Sequence, residues 1–266
     1  MNPLLLTFDL EEFEKAGDKG FDIGYNGGRV VQKLLEKTGV HATFFVTARF
    51  YLRYPDFVAE LSECHEIAFH GLDHHDDYQV LSEDEAVQKL TKGKTHIEKG
   101  LNLNIEGFRA PRMRPPSYAV LKKTGFVYSS SLHPTYVPGR YNQMTAPRSP
   151  FVREGVLEIP VSVAPLVRLP FSWVWFRQLG VTYAKVIASM VNHSSSYLCI
   201  YFHPWEFISL QGYGLAHSRN TGKKMEFALE KFLNWLSSKT TPMQMGEFAK
   251  KYYERIRKGH DKSSVL

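Results

Sequence analysis

Five apolar runs of this chain each end beside residues that can bind a metal, move a proton or hold an anion. LLLTFD (4–9) ends in Asp9, with Glu11 and Glu12 just beyond it. EIAFHGLDHH (66–75) carries His70, His74 and His75, EGFRAP (106–111) carries Arg109 and Pro111, FVYSSSL (126–132) carries Tyr128, and YLCIYFHPWEF (197–207) carries His203 and Trp205. In a parallel barrel the C-terminal strand ends gather on one face, so residues this far apart in sequence can meet in one pocket.

His70 and His74 stand four apart directly after an apolar run, one spacing among 11 histidines. Two neutral imidazoles and one carboxylate make a catalytic donor set for a divalent metal, zinc above others, with one position open for water. His75 is an alternative to His74. Strand alternation puts Asp9 and Glu11 on one side and favours Glu11 as the carboxylate ligand. Glu12 stays open if the regular strand has ended by then. Asp9 closes a buried run, where it can take a proton from a metal's water or pair with Arg109.

These residues need strands to hold them, and the chain alternates strand and helix, the pattern of a parallel sheet. Expected strands are PLLLTFD, HATFFVT, HEIAFH, NIEGFR, FVYSSSL, VLEIPVS and YLCIYFH. Expected helices are GGRVVQKLLEKTG stopping at Gly39, DFVAELSE, SEDEAVQKLTKGKTHIEKG with Ser82 and Glu85 as capping box and Gly100 as stop, PPSYAVLKKTG, a stretch around 173–193, and GKKMEFALEKFLNWLSSK. Residues 133–155 read as a long loop or hairpin. A short strand and helix within 241–258 close the chain, with 251–266 a flexible tail. The reading is a single-domain α/β protein over 1–266, a distorted (β/α)7–8 barrel.

The order and spacing of these motifs resemble the polysaccharide deacetylase family, metal-dependent enzymes that cleave acetyl groups from sugars. The resemblance covers most of residues 3–250 and implies roles residue by residue. Asp9 would be the general base, His70 and His74 metal ligands, and His203 the general acid that protonates the departing amine. Arg109 in FRAP would orient Asp9, Pro111 would stiffen that loop, and HPWE (203–206) is similar to a branch tied to bacterial surface-glycan assembly. The chain departs from the family twice. Leucine stands where the family's second aspartate binds metal, which leaves the ligand to Glu11. The segment with Tyr128, set beside substrate with Trp205 and Pro111, has no acid to partner His203, so Glu158 or Glu206 would substitute. Trp205 would stack on a sugar or pack in the core.

The resemblance implies hydrolysis of an N-acetyl group on a glycan or glycan precursor, in surface-polysaccharide biosynthesis. A formamide or cyclic-amide hydrolase and a non-catalytic glycan-binding barrel are the alternatives. The net charge of +6 is spread along the chain rather than gathered in one patch, so no nucleic-acid partner is expected. Cys64 and Cys199 read as buried free thiols, which implies no disulfide framework. The chain enters a strand without a leader and has no apolar run long enough for a membrane span, so a cytoplasmic location is expected. The aromatic and basic stretch 165–180 is a candidate for peripheral membrane contact, with burial in the core favoured.

Overall fold

The computed structural model describes residues 1–259. Its strands are β1 (Asn2–Leu10), β2 (Thr43–Val46), β3 (Glu66–Phe69), β4 (Gly107–Phe108), β5 (Tyr128–Ser129), β6 (Tyr136–Val137), β7 (Tyr141–Asn142), β8 (Phe151–Arg153), β9 (Val156–Glu158), β10 (Leu198–Phe202) and β11 (Thr240–Pro242). Nine of them form one sheet in the order β10-β1-β2-β3-β4-β5-β9-β8, with β11 beside the start of β1; β6 and β7 form a separate hairpin. From β10 through β9 every neighbour is parallel. The sheet curls until its two sides meet, where Ser162 N donates to Cys199 O at 3.0 Å. The result is a distorted (β/α) barrel.

Two apolar layers follow from the period of two along each strand. Leu4, Leu6, Phe8 and Leu10, with Phe44, Val46, Ile67, Phe69, Phe108, Leu198, Ile200 and Phe202, face outward into one core. The helices α1 (Lys19–Thr38), α2 (Ala48–Arg53), α3 (Pro55–Ser62), α4 (Glu83–Leu101), α5 (Tyr118–Lys123), α6 (Trp173–Ser194), α7 (Leu215–Ser218) and α8 (Lys223–Leu236) surround the sheet. Leu5, Phe45, Ala68, Tyr128, Leu157 and Cys199 belong to the inner core, which α9 (Met245–Arg257) plugs from the N-terminal end with Met245, Phe248 and Tyr252. Strands buried on both faces read as near-continuous apolar runs, as β1 does.

Several boundaries differ from the sequence reading. α1 begins at Lys19, eight residues before Gly27. α4 passes through Gly100 and ends at Asn102, whose φ of 51° makes the left-handed cap. Gly100 is kept small because a Cβ there would come within 1.8 Å of Tyr51 Oη. α2 was not anticipated; Thr47 caps it by accepting from Phe50 N. Lys251–Arg257 are helical rather than a tail, and 260–266 lie outside the described residues. Cys64 is exposed, while Cys199 is buried.

Candidate active site

Alternation on the strands delivers the site. Inward positions run Leu5, Thr7 and Asp9 on β1, Ala68 on β3 and His70 just past it, Gly107 on β4 and Arg109 just past it, and Cys199 and Tyr201 on β10 with His203 just past it. Each series starts in the inner core and ends in a polar residue at the C-terminal mouth. Glu11 keeps the phase of Asp9 one residue past the end of β1. Asp9, Glu11, His70, His74, Tyr201 and His203 then line one cleft of about 170 Å³, walled by Met113, Tyr141 and Trp173.

Glu11 lies at the centre, 1% exposed. One carboxylate oxygen is 2.6 Å from His74 Nδ1 and 3.4 Å from His70 Nε2; the other is 3.5 Å from His203 Nε2. Burial pushes the Glu11 carboxyl up, but His74 and His70 outweigh it and hold the group well below its usual range. Glu11 in turn raises His74 to about 9 against the opposing effect of burial. His70 Nδ1 meets the Arg109 carbonyl at 2.8 Å. A carbonyl can only accept, so Nδ1 carries a proton, and Nε2 is the ring nitrogen turned toward the Glu11 carboxylate, where it would serve as the ligand atom. Two imidazoles and an anionic carboxylate converging without a lysine or arginine among them fit a divalent metal.

His74 sits on a loop that leaves β3 through Gly71, at φ 89°. Asp76 ties that loop down, accepting from Leu72 N at 2.8 Å and Tyr78 Oη at 2.7 Å. Its neighbours Asp73 and His75 turn outward and join Glu12 in a second group, with ligand atoms within 4.8 Å of one another. Arg49 pairs with Asp73 there, and neither Asp73 nor His75 lines the cleft. Adjacent residues thus separate into two sets: Glu11 with His70 and His74, and Glu12 with His75.

Arg109 is wholly buried. Its Nη1 donates to Asp9 Oδ1 at 2.7 Å and Thr7 Oγ1 at 2.8 Å, its Nε to Ser130 O, and its Nη2 to Ser130 Oγ. The guanidinium lies over the rings of Phe45 and Tyr201. This leaves Asp9 Oδ2 free toward the cleft, 4.0 Å from His70 Nε2 and 3.9 Å from His203 Nε2.

Residues 20–129 match the family model for polysaccharide deacetylase. A polysaccharide deacetylase domain therefore occupies that stretch. That places it among hydrolases of non-peptide carbon–nitrogen bonds. Residues 130–241 match a second family model, a domain of unknown function (DUF3473). The border between the two falls at the end of β5, and one sheet runs through both. No curated protein matches the chain. Among solved structures, chains named as polysaccharide deacetylases from Mycobacterium smegmatis (18% identity, TM-score 0.66, 96% of this chain and 91% of that one) and Pseudomonas aeruginosa PAO1 (15%, 0.66, 95% and 90%) share the fold. So does the PuuE allantoinase (16%, 0.63, 95% and 89%).

Other expected site residues lie elsewhere. Tyr128 starts β5 at the far end of the barrel, 0% exposed, and donates to Glu66 Oε1 at 2.8 Å. It stands a full residue pair below the mouth, where Ser130 takes over the inward face. Pro111 is buried behind the cleft, whose wall is formed by Ala110, Arg112 and Met113 on either side of it. Trp205 is 7% exposed and stacks on His203 with centroids 4.8 Å apart, with Phe13 and Trp173 packed around it. Its ring holds the imidazole rather than standing open. Burial pushes His203 down to about 4 despite the pull of Glu11 and Asp9. Of the two acids considered as its partner, Glu158 is engaged by Ser131 N and Leu132 N. Glu206 accepts from His203 N at 3.1 Å and lies 4.0 Å from His203 Nδ1. Burial raises Glu206 to about 8, partly offset by Arg177. Arg177 itself donates to the His217 and Ala216 carbonyls and is buried, which removes it from any membrane surface. No helix among the described residues is long and apolar enough to cross a membrane.

Sequence reasoning passed over Tyr201, Arg112, Arg140 and Tyr141. Tyr201 was within reach, two residues before His203 on the same face. Arg112 and Arg140 sit on turns, and Tyr141 on the two-residue strand β7, too short for a period to point inward. Arg112 and Met113 both adopt left-handed backbone, at φ 54° and 56°. Such strain costs non-glycine residues about 1 kcal/mol or more each and gathers at functional sites.

Proposed function

We propose that this protein hydrolyses the N-acetyl group of a sugar in a glycan or glycan precursor, releasing acetate, with His70, His74 and Glu11 holding a divalent metal, zinc by its donor set. The observation that carries the reading is the free Oδ2 of Asp9 facing His203 Nε2 across the Glu11 cluster in a single cleft. When bound, the metal would polarise the acetyl carbonyl and sharpen the acidity of water. Asp9, fixed by Arg109, takes the proton from the attacking water through Oδ2. That proton passes from Asp9 Oδ2 to the neutral His203, whose Nε2 lies 3.9 Å away, and from His203 to the leaving nitrogen, which cannot depart as an anion. Trp205 and Trp173 pin the imidazole against rotation, and Glu206 holds the turn that carries it. The match of residues 20–129 to the polysaccharide deacetylase model, with the HPWE turn at the site, supports surface-polysaccharide assembly as its setting.

Likeness to an allantoinase keeps cyclic amides as a second reading, since the fold is common to both. Acetate release from an N-acetylated oligosaccharide, assayed beside opening of a cyclic amide, decides between them. H70A and H74A should lose the metal by elemental analysis. D9N and H203A should keep it and lose turnover by roughly 100-fold or more. No acetate from metal-loaded protein, or near-full turnover by D9N, sinks the proposal. Metal loss in E12A rather than E11A would move the ion to the outer group.

A further inference from the structure

The hairpin β6–β7 folds over the cleft and presents Arg140 at its rim. The hairpin is built to hold its position. Tyr141 Oη meets His133 Nδ1 at 2.8 Å, Gln143 N donates to Thr135 O at 2.9 Å, and Gln143 Oε1 accepts from His133 N at 2.7 Å. Gly139, at φ 73°, makes the turn that sets Arg140 inward. Arg140 lines the catalytic cleft, with Asp9 and Glu11. It also lines an adjoining cleft beside Trp205 and a third one beside Arg112 and Arg114. It therefore stands where the three open into one another.

The charges around it do not cancel. Arg114 is 2.8 Å from Asp77 and is neutralised by it. Arg112 Nη2 donates to the backbone carbonyls of His75 and Asp76, which fix the guanidinium without removing its charge. Glu14 points to His74 Nε2 at 3.7 Å. Arg140 is exposed, and no side chain or carbonyl among the described residues receives its guanidinium. The carboxylates on the floor of the cleft are already paired, Asp9 with Arg109 and Glu11 with His74. The unpaired positive charge therefore lies at the rim, where an anion would be received.

We infer that Arg140, assisted by Arg112, forms an anion subsite for a carboxylate or phosphate borne next to the N-acetylated sugar, so that the substrate is an acidic glycan or a glycosyl phosphate rather than a neutral polymer. The inference rests on the deacetylase reading for the identity of the sugar, but the subsite itself is a matter of binding. A planar guanidinium suits either oxyanion by paired hydrogen bonds.

The test is calorimetric binding of three probes to the metal-loaded protein: N-acetylated chitotetraose, a hyaluronan tetrasaccharide and N-acetylglucosamine 1-phosphate. At least one anionic probe should bind roughly tenfold tighter than the neutral one, with the advantage shrinking as salt is raised. R140A should erase the advantage, so that the anionic probes bind that variant no tighter than chitotetraose does, while R140K should keep part of it. A preference for the uronate probe identifies an acidic polysaccharide, and one for the sugar phosphate identifies a glycosyl phosphate. Arg140 is exposed and unpaired, so R140A should unfold at the parent's temperature. Equal affinity for all three probes, or an anionic preference that survives R140A, overturns the subsite. Acetate release from the same probes is scored separately: none from any of them defeats the deacetylase reading, while Arg140-dependent binding still decides the subsite.

Discussion

Arg109 and Asp9 depend on each other more than any other pair at the site. Both are buried, and among the described residues Asp9 is the one carboxylate that meets the guanidinium. Removing one partner of a buried pair leaves the other charge uncompensated, which costs about 3–5 kcal/mol. R109A should therefore lower the urea midpoint strongly, and R109K should recover little because an ammonium cannot serve Asp9, Thr7 and Ser130 at once. Adding D9N to R109A should restore part of the loss, and a double-mutant cycle measures that coupling. An R109A midpoint equal to the parent's would refute it. Asp9, His70, Arg109 and His203 were legible in the sequence because each ends an apolar run in the inward phase. Preference for Glu11 over Glu12 followed from the same alternation, and the two carboxylates do face apart. Tyr128 was misjudged since it begins its strand rather than ending it. Arg140 carried no signal at all, for a hairpin tip has neither period nor apolar context.

At the scale of elements, α1 shows why boundaries were harder to read than strands. Glycines disfavour helix interiors by about 1 kcal/mol each relative to alanine, so Gly20 and Gly24 weaken the local signal for a helix ahead of its expected start at Gly27. Packing reverses that preference. A Cβ on Gly24 would lie 2.4 Å from the Glu11 carbonyl, and one on Gly27 would lie 1.9 Å from the Pro204 carbonyl. These two positions, three apart on one face, let α1 press against both the Glu11 segment and the turn that carries His203. G27A should thus push Pro204 and His203 outward. We expect a stability loss of about 1–3 kcal/mol from overpacking and a larger relative fall in kcat, read by thermal unfolding beside acetate release. G28A is the control, since there the added methyl presses on the Phe57 ring and touches Leu10 Cδ1, side chains away from the Glu11 and Pro204 backbone. Equal kcat for G27A and G28A would detach α1 from catalysis. The alternation of strands and helices that revealed the barrel needed only composition and turns. The packing that dictates glycine in α1 depends on segments far away in sequence.

For the molecule as a whole, buried neutral histidines set the response to acid. Burial holds His65 near 4, with His41 adding repulsion, and holds His133 near 3, with Arg109 adding repulsion. His133 is fully buried and its Nε2 has no partner. Both groups titrate near 6.5 once unfolded. Below that pH the unfolded chain binds protons that the folded chain refuses, so stability is full above about 6.5 and falls as pH drops toward 4 and then 3. Glu206 works in the opposite sense: a carboxyl raised to about 8 favours the fold at low pH and withdraws that support as pH rises from about 4.5 to 8. The two effects overlap between 4.5 and 6.5, and variants separate them. In an E206Q background the urea midpoint should fall steadily from pH 6.5 to 4.5, and adding H133Q should flatten that fall, because a glutamine has no proton to gain. A flat profile in E206Q, or an unchanged slope after H133Q, would show that the buried imidazoles do not govern acid unfolding.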